Sequence, residues 1–147
     1  MFSTELLDIH LNTEFLGSKI NYLSETNSTN IDAWNHIDDG CTEGTIFITD
    51  NQINGRGRRQ NKWVSTPDKS LTVSFILYPK IGLDKLGLLP ILTGVSIVHG
   101  IKSSTSIQTG LKWPNDIMLN MKKLGGILIE SRTTQNGLGI VVGIGLN

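Results

Sequence analysis

The last third of the chain constrains the fold most. "DIMLN" (116–120), "LGGILIES" (124–131) and "LGIVVGIGLN" (138–147) are three runs rich in β-branched and apolar residues. Only "MKK" and "TTQNG" separate them, so they read as consecutive hairpins. Earlier segments add to the sheet. "GTIFITD" (44–50) alternates and is β-branched, which predicts a strand. "SLTVSFILYP" (70–79) predicts a second, apolar enough to be central and stopped by Pro79. "IQTGLKW" (107–113) predicts a third, cut by Pro114. Two helices complete the pattern. "IDAWNHI" follows a run of capping residues and predicts a short helix starting near Ser28 or Thr29. Leu88, Ile91, Leu92, Val95, Val98 and Ile101 recur at helical spacing, and Pro90 belongs in a first turn, so that helix starts near Leu88 or Leu89. Residues 1–20 are a weakly amphipathic lead-in. The class is α+β, a mixed sheet with packed helices, not the regular alternation of a doubly wound fold.

Charge and composition exclude several functions. The 147 residues suit one domain. Lys and Arg total 13, and so do Asp and Glu, which argues against a general nucleic-acid or membrane binder. A single cysteine, Cys41, rules out an internal disulfide and fits a reducing compartment. His10, His36, His99 and Cys41 share no metal-ligand spacing, so no tightly bound metal is expected. The first twenty residues carry Glu5, Asp8 and Glu14 and do not read as a signal peptide. No apolar run reaches the roughly 18–20 residues of a membrane span. The expectation is a soluble cytoplasmic domain.

Against that neutral background, "NGRGRRQNKW" (54–63) gathers Arg56, Arg58, Arg59 and Lys62. It nearly matches the dinucleotide fingerprint G-x-G-x-x-G, but Gln60 replaces the third glycine and "NKWVSTP" cannot open a helix. A phosphate-binding P-loop motif is absent. Gly55 and Gly57 permit close backbone approach or positive φ. Arg56 and Arg58 share a side of an extended loop, and their guanidinium forks suit carboxylate or phosphate. Partly buried, each charge-assisted bond is worth about 1.5–3 kcal/mol. The competing reading is a solvated basic loop. In "KWPND" (112–116), Lys112 sits at a strand end beside Asn115 and Asp116, and the competing reading is an ordinary edge lysine. "ETNSTN" (25–30) is either an N-cap or an N-cap that also presents polar groups to a ligand. Glycines inside "GGILIE" and "VGIGLN" weaken those strands unless another backbone or a flat ligand packs there.

Together, "ETNSTN", "NQINGRGRRQNKW", "KWPNDIMLNMKKLGGILIES" and "VGIGLN", in that order, resemble the catalytic domain of biotin protein ligases over roughly residues 20–147. The resemblance implies a core like that of class II aminoacyl-tRNA synthetases and lipoate ligases. It implies that biotin and MgATP form biotinyl-5′-AMP, and that the biotinyl group passes to a lysine of a biotin carboxyl carrier protein, an acetyl-CoA carboxylase subunit. Carried over by position, biotin contacts fall on Ser28, Thr29, Asn30, Gln52, Arg56, Gly57, Arg58 and Lys112. Arg58 and Lys112 are the implied catalytic groups. Arg56, Arg58, Trp63, Asn115 and Asn147 are the implied nucleotide contacts. Magnesium enters with ATP, held mainly by phosphates.

The pattern departs from the family in three places. Gln60 stands where a glycine is usual. Too few residues precede "ETNSTN" for a helix-turn-helix, so DNA binding is not expected. The family continues past "GIGLN" into a further catalytic segment and a small C-terminal β-domain, so the domain is expected to be incomplete at its C-terminus. The sequence does not set an oligomeric state; the resemblance suggests a homodimer through a sheet edge as one assembly. Two rivals remain, a lipoate or octanoate ligase or transferase of the same fold, and a non-catalytic anion- or nucleic-acid-binding module using residues 56–62.

Overall fold

A computed structural model describes residues 12–147; residues 1–11, and with them His10 and most of the lead-in, lie outside the described residues. Among the described residues the chain forms β1 (Ile20–Thr26), α1 (Thr29–Asp38), β2 (Ile46–Gln52), β3 (Leu71–Leu77), α2 (Leu89–Thr105), β4 (Gly110–Lys112), β5 (Asp116–Leu119), β6 (Lys122–Thr134) and β7 (Gly137–Leu146). The strands make one sheet in the order β1-β2-β3-β7-β6-β5-β4. β1 and β2 are parallel and every other pairing is antiparallel, so the sheet is mixed, as the sequence predicts.

The C-terminal hairpins set the geometry. β6 and β7 pair without a break from Gly125↔Leu146 to Thr134↔Gly137, with Gly137 at φ +96° completing the tight turn. β5 and β6 are joined by Asn120 and Met121, at φ 47° and 63°. Two successive positive φ angles are what a two-residue hairpin needs. The turn is therefore Asn120–Met121 rather than "MKK", and Lys122 and Lys123 belong to the strand. β4 is shorter than predicted, because Ser106 ends α2 in the left-handed region and residues 107–109 lead in without pairing. β1 was not predicted. Its sequence INYLSET carries polar residues on an edge strand, which needs no continuous apolar run.

α1 covers one part of the sheet. Ala33 and Ile37 pack with Phe47, Ile76 and Val141 into the buried core, flanked by Trp34, Cys41 and Tyr78. Each large side chain among them contributes about 1.5–3 kcal/mol by leaving water. α2 lies over β4, β5 and β6, and Gly94 lets it approach Leu111 and Ile127. Pro90 sits in its first turn as predicted. A 3₁₀ turn (Leu83–Leu88) runs directly into it, so Leu83–Thr105 forms 23 helical residues, within which an 18-residue window has a mean hydropathy of 1.4. By length and composition alone that helix is long and apolar enough to cross a membrane, although Asp84, Lys85, His99 and Lys102 interrupt it, so it is not the unbroken apolar run whose absence the sequence showed. Leu88, Ile91, Leu92 and Val95 of this element are exposed.

Candidate functional site

The start of α1 faces the end of β2. Ser28 occupies the N-cap position but makes no side-chain cap bond. Instead the Thr29 N–H donates to Gln52 Oε1 at 2.8 Å, so a residue of β2 caps the helix. The Thr29 and Asn30 side chains turn to other partners. Thr29 Oγ1 lies 3.1 Å from Gln52 Oε1 and 2.7 Å from Ser74 Oγ, and Ser74 Oγ donates to Asn30 Oδ1 at 2.6 Å. Asn30 Nδ2 donates to Glu130 Oε2 at 2.8 Å. Ser28, Thr29, Asn30, Gln52 and Ser74 are all buried, so this is a fixed polar floor. The strand glycines explain themselves here. A Cβ on Gly143 would sit 2.2 Å from Asn30 Oδ1, and one on Gly145 would sit 2.3 Å from the Trp63 ring. Where the sequence suggested a backbone or a flat ligand, the groups packed against these glycines are the protein's own Asn30 amide and Trp63 indole.

The glycine-arginine loop stands over this floor as a narrow ribbon. Arg56 and Lys62 form a backbone bridge, Gly57 N–H donates to Asn61 O at 2.7 Å, and Trp63 N–H donates to Gly55 O at 2.9 Å. At its tip Arg59 and Gln60 have φ 54° and 63°. Gln60 thus occupies a left-handed conformation that a glycine would adopt without strain. Arg56 Nη2 reaches Glu130 Oε1 at 3.4 Å, and Arg58 Nη1 reaches Asn115 Oδ1 at 3.3 Å. Both arginines are exposed; the Arg56 ion pair is worth about 0–1 kcal/mol and Arg58 contacts a neutral amide, so both are lightly held.

Floor and loop enclose a cavity of about 420 Å³. Its wall includes Ser28, Thr29, Asn30, Gln52, Arg56, Gly57, Arg58, Trp63 and Asn115 of the expected set. Among the described residues, five cations (Arg56, Arg58, Arg59, Lys62 and Lys123) and one carboxylate (Asp116) line it, which favours an anion. Two buried polar atoms of wall residues, Trp63 Nε1 and Thr72 Oγ1, have no partner among the described residues, so a ligand reaching them would satisfy them.

Two expected residues stand off the wall. Lys112 is exposed at the end of β4. It pairs in register with Asp116, and Trp113, Pro114, Asn115 and Asp116, which follow it, all line the cavity, so it stands at the mouth rather than inside. Lys123 is on the wall, with Nζ 2.8 Å from Asp116 Oδ1. That carboxylate already offsets its charge. Asn147 is the second. Its side chain accepts from Ser70 Oγ at 2.9 Å and donates to Val64 O at 3.2 Å, tethering the segment after the loop to the end of β7. Sequence reasoning missed Lys123 and Thr72 as wall residues. The available signals were "KLGG", where a Cβ on Gly126 would lie 3.6 Å from Lys123 Nζ, and the polar face that Thr72 shares with Ser74 on an otherwise apolar strand. Asn115 is well anchored, donating from Nδ2 to Ile127 O at 3.0 Å.

An α+β sheet carrying a polar floor under a cationic loop defines a domain suited to holding a small acid. The chain belongs to the biotin/lipoate A/B protein ligase family, whose sequence model matches residues 22–147. It is 38% identical over 138 residues to the bifunctional ligase/repressor BirA of Bacillus spizizenii, covering 93% of this chain and 42% of that one. It is 28% identical over 134 residues to the biotin–[acetyl-CoA-carboxylase] ligase of Mycobacterium tuberculosis, covering 88% and 49%. The biotin protein ligase of Aquifex aeolicus in complex with biotin and ATP superposes with a TM-score of 0.71 at 33% identity, covering 87% of this chain and 51% of that one. The chain thus spans about half the length of the relatives it matches.

Proposed function

We propose that this domain activates biotin with MgATP as biotinyl-5′-AMP and delivers the biotinyl group to a lysine of a biotin carboxyl carrier protein. The observation that carries the reading is the joining, in one cavity, of a buried neutral floor and a cationic rim. The floor, Ser28 to Asn30 with Gln52, matches a neutral ring bearing a carbonyl and N–H groups, such as the ureido ring. Arg56, Arg58 and Lys112 match the two anions, carboxylate and α-phosphate, that the reaction must bring together. Trp63 and Asn115 are the nucleotide contacts this reading retains. Magnesium comes with ATP as substrate. Among the described residues no three His, Cys, Asp or Glu side chains cluster to hold a metal, and an ion ligated mainly by phosphate oxygens requires no such cluster.

In the first step a carboxylate oxygen of biotin attacks the α-phosphorus. The new C–O–P linkage forms as the bond to the β-phosphate oxygen breaks, and pyrophosphate leaves. Lys112 is the lysine suited to neutralise the carboxylate as it approaches phosphate, and to stabilise charge developing on the α-phosphoryl oxygens. Its long stem starts at the cavity mouth, and it has no ion pair among the described residues, whereas Lys123 is spent on Asp116. In the second step the amine of the carrier lysine attacks the acyl carbon, an amide forms, and AMP leaves. Between the steps the loop excludes water from the mixed anhydride. Among the described strands β1 and β4 end the sheet order, and a second copy pairing edge to edge would use one of them.

The test is incubation of the protein with MgATP and either biotin or lipoate, with the acyl-adenylate read by mass spectrometry. Biotinyl-AMP is the expected product. Lipoyl-AMP in its place, or no adenylate from either acid, would overturn the proposal.

A further inference from the structure

Glu130, in the middle of β6, has no part in the chemistry above, yet its carboxylate touches both halves of the site. Oε2 accepts from Asn30 Nδ2 at 2.8 Å and from Trp34 Nε1 at 3.4 Å, and Oε1 faces Arg56 Nη2 at 3.4 Å. We propose that Glu130 is a positioning residue that sets the hydrogen-bond polarity of the cavity floor and ties that polarity to the loop through Arg56. The proposal rests on the biotin reading for its binding arm only.

The argument follows the protons. An ionised carboxylate accepts and cannot donate. It therefore draws the NH₂ of the Asn30 amide toward itself, which turns Oδ1 toward Ser74. Ser74 must then donate its single hydroxyl proton to Asn30 Oδ1, at 2.6 Å. With that proton committed, Ser74 can only accept from Thr29 across their 2.7 Å contact. Gln52 Oε1, 3.1 Å away, is the other acceptor open to the Thr29 hydroxyl. Two hydroxyl oxygens 2.7 Å apart need a proton between them, so Ser74 takes it, alone or shared with Gln52, and the Thr29 proton is spent within the protein. Thr29 Oγ1 is left with lone pairs alone, so it accepts from an N–H of the ligand. One acidic residue on β6 thus fixes which ligand groups the floor can read. Arg56 adds the second link. Its guanidinium faces the other oxygen of the same carboxylate, so loop and floor share one acceptor.

Two arms test this. In the ligand-free protein, the Asn30 side-chain amide gives a pair of proton–nitrogen resonances. They should move on Glu130→Gln and, by a smaller amount, on Arg56→Met, while Arg56→Met should have no effect in the Glu130→Gln background. In calorimetric titration with biotin, folded Glu130→Gln should bind about tenfold more weakly than the parent. An Asn30 amide indifferent to both substitutions, or biotin affinity unaltered in Glu130→Gln, would overturn the proposal. Should Glu130→Gln not fold, Arg56→Met alone carries the amide readout. A parent protein that does not bind biotin contradicts the proposed function, and the ligand-free resonances still decide the role of Glu130.

Discussion

Thr29 and Asn30 are 2% and 4% exposed and sit in contacts of 2.6–3.1 Å, whereas Arg56 and Arg58, across the cavity from them, are exposed and reach their partners only at 3.3–3.4 Å. The two halves of one cavity are built differently. The floor is assembled on folding and its geometry is set before any ligand arrives. The rim is a ribbon with a left-handed tip, held by contacts that a bound anion can outcompete. Such a division suits a site that must recognise a neutral ring and then close over reacting charges. Under the proposed function, selectivity would belong to the preformed half and shielding to the adaptable one.

Substitutions can break this contrast. The largest effect is expected from Lys112→Ala, which should cut biotin-dependent pyrophosphate release by on the order of 100-fold or more, the scale of removing one charge-stabilising donor. Lys123→Ala removes a cation that Asp116 already offsets and should lose about tenfold or less. Equal losses in the two variants, or a reversed order, would remove Lys112 from its role. In the floor, Thr29→Val takes the donor from Ser74 and should destabilise the fold by about 1–3 kcal/mol, read by urea denaturation, while also weakening biotin binding. In the rim, Arg58→Gly should leave stability unchanged and adenylation measurable but release biotinyl-AMP into solution. Retention of the intermediate equal to the parent would contradict a sealing loop.

Smaller effects sharpen the picture. Gln60→Gly removes a non-glycine residue from φ 63° and should stabilise by up to about 1 kcal/mol, read as a shifted urea midpoint. Tyr78 supplies a pH test remote from the cavity. Burial, the largest influence on it, pushes its phenol above the ordinary value of 10.0. A raised pKa means its contribution is intact below about pH 10 and is lost as pH climbs through the folded value. The urea midpoint should hold to about pH 10 and then fall, less steeply in Tyr78→Phe.

Much of this was legible in the sequence, and the gaps have physical causes. The antiparallel part of the sheet was readable because the hairpins around residues 116–147 are rich in strand-forming residues and turn tightly; the parallel pairing runs between β1 and β2. β1 escaped because an edge strand with Asn21, Ser24 and Glu25 resembles a polar lead to the next helix. The helices misled in opposite directions. The more apolar α2 contributes only Gly94 to the buried residues, while α1, mostly polar in its sequence TNIDAWNHID, buries Thr29 and Asn30 and carries the floor. Apolar content alone did not tell which helix faces the core. The serine-threonine-asparagine and arginine motifs stood out by residue type, but each also read as a plain cap or a solvated loop, and their roles came from the resemblance to a family. Lys123 was not legible, since its place on the wall turns on where a two-residue hairpin falls. Nor was Asn147, whose side chain serves Ser70 and Val64 rather than the cavity.

The contrast between floor and rim is tested most directly by amide hydrogen exchange with and without a non-hydrolysable biotinyl-AMP analogue. The Thr29 amide should already be protected in the free protein, and the amides of residues 55–63 should slow at least about tenfold only when the analogue binds. A Thr29 amide exchanging as fast as the loop in the free protein, or loop amides unmoved by the analogue, would contradict the account.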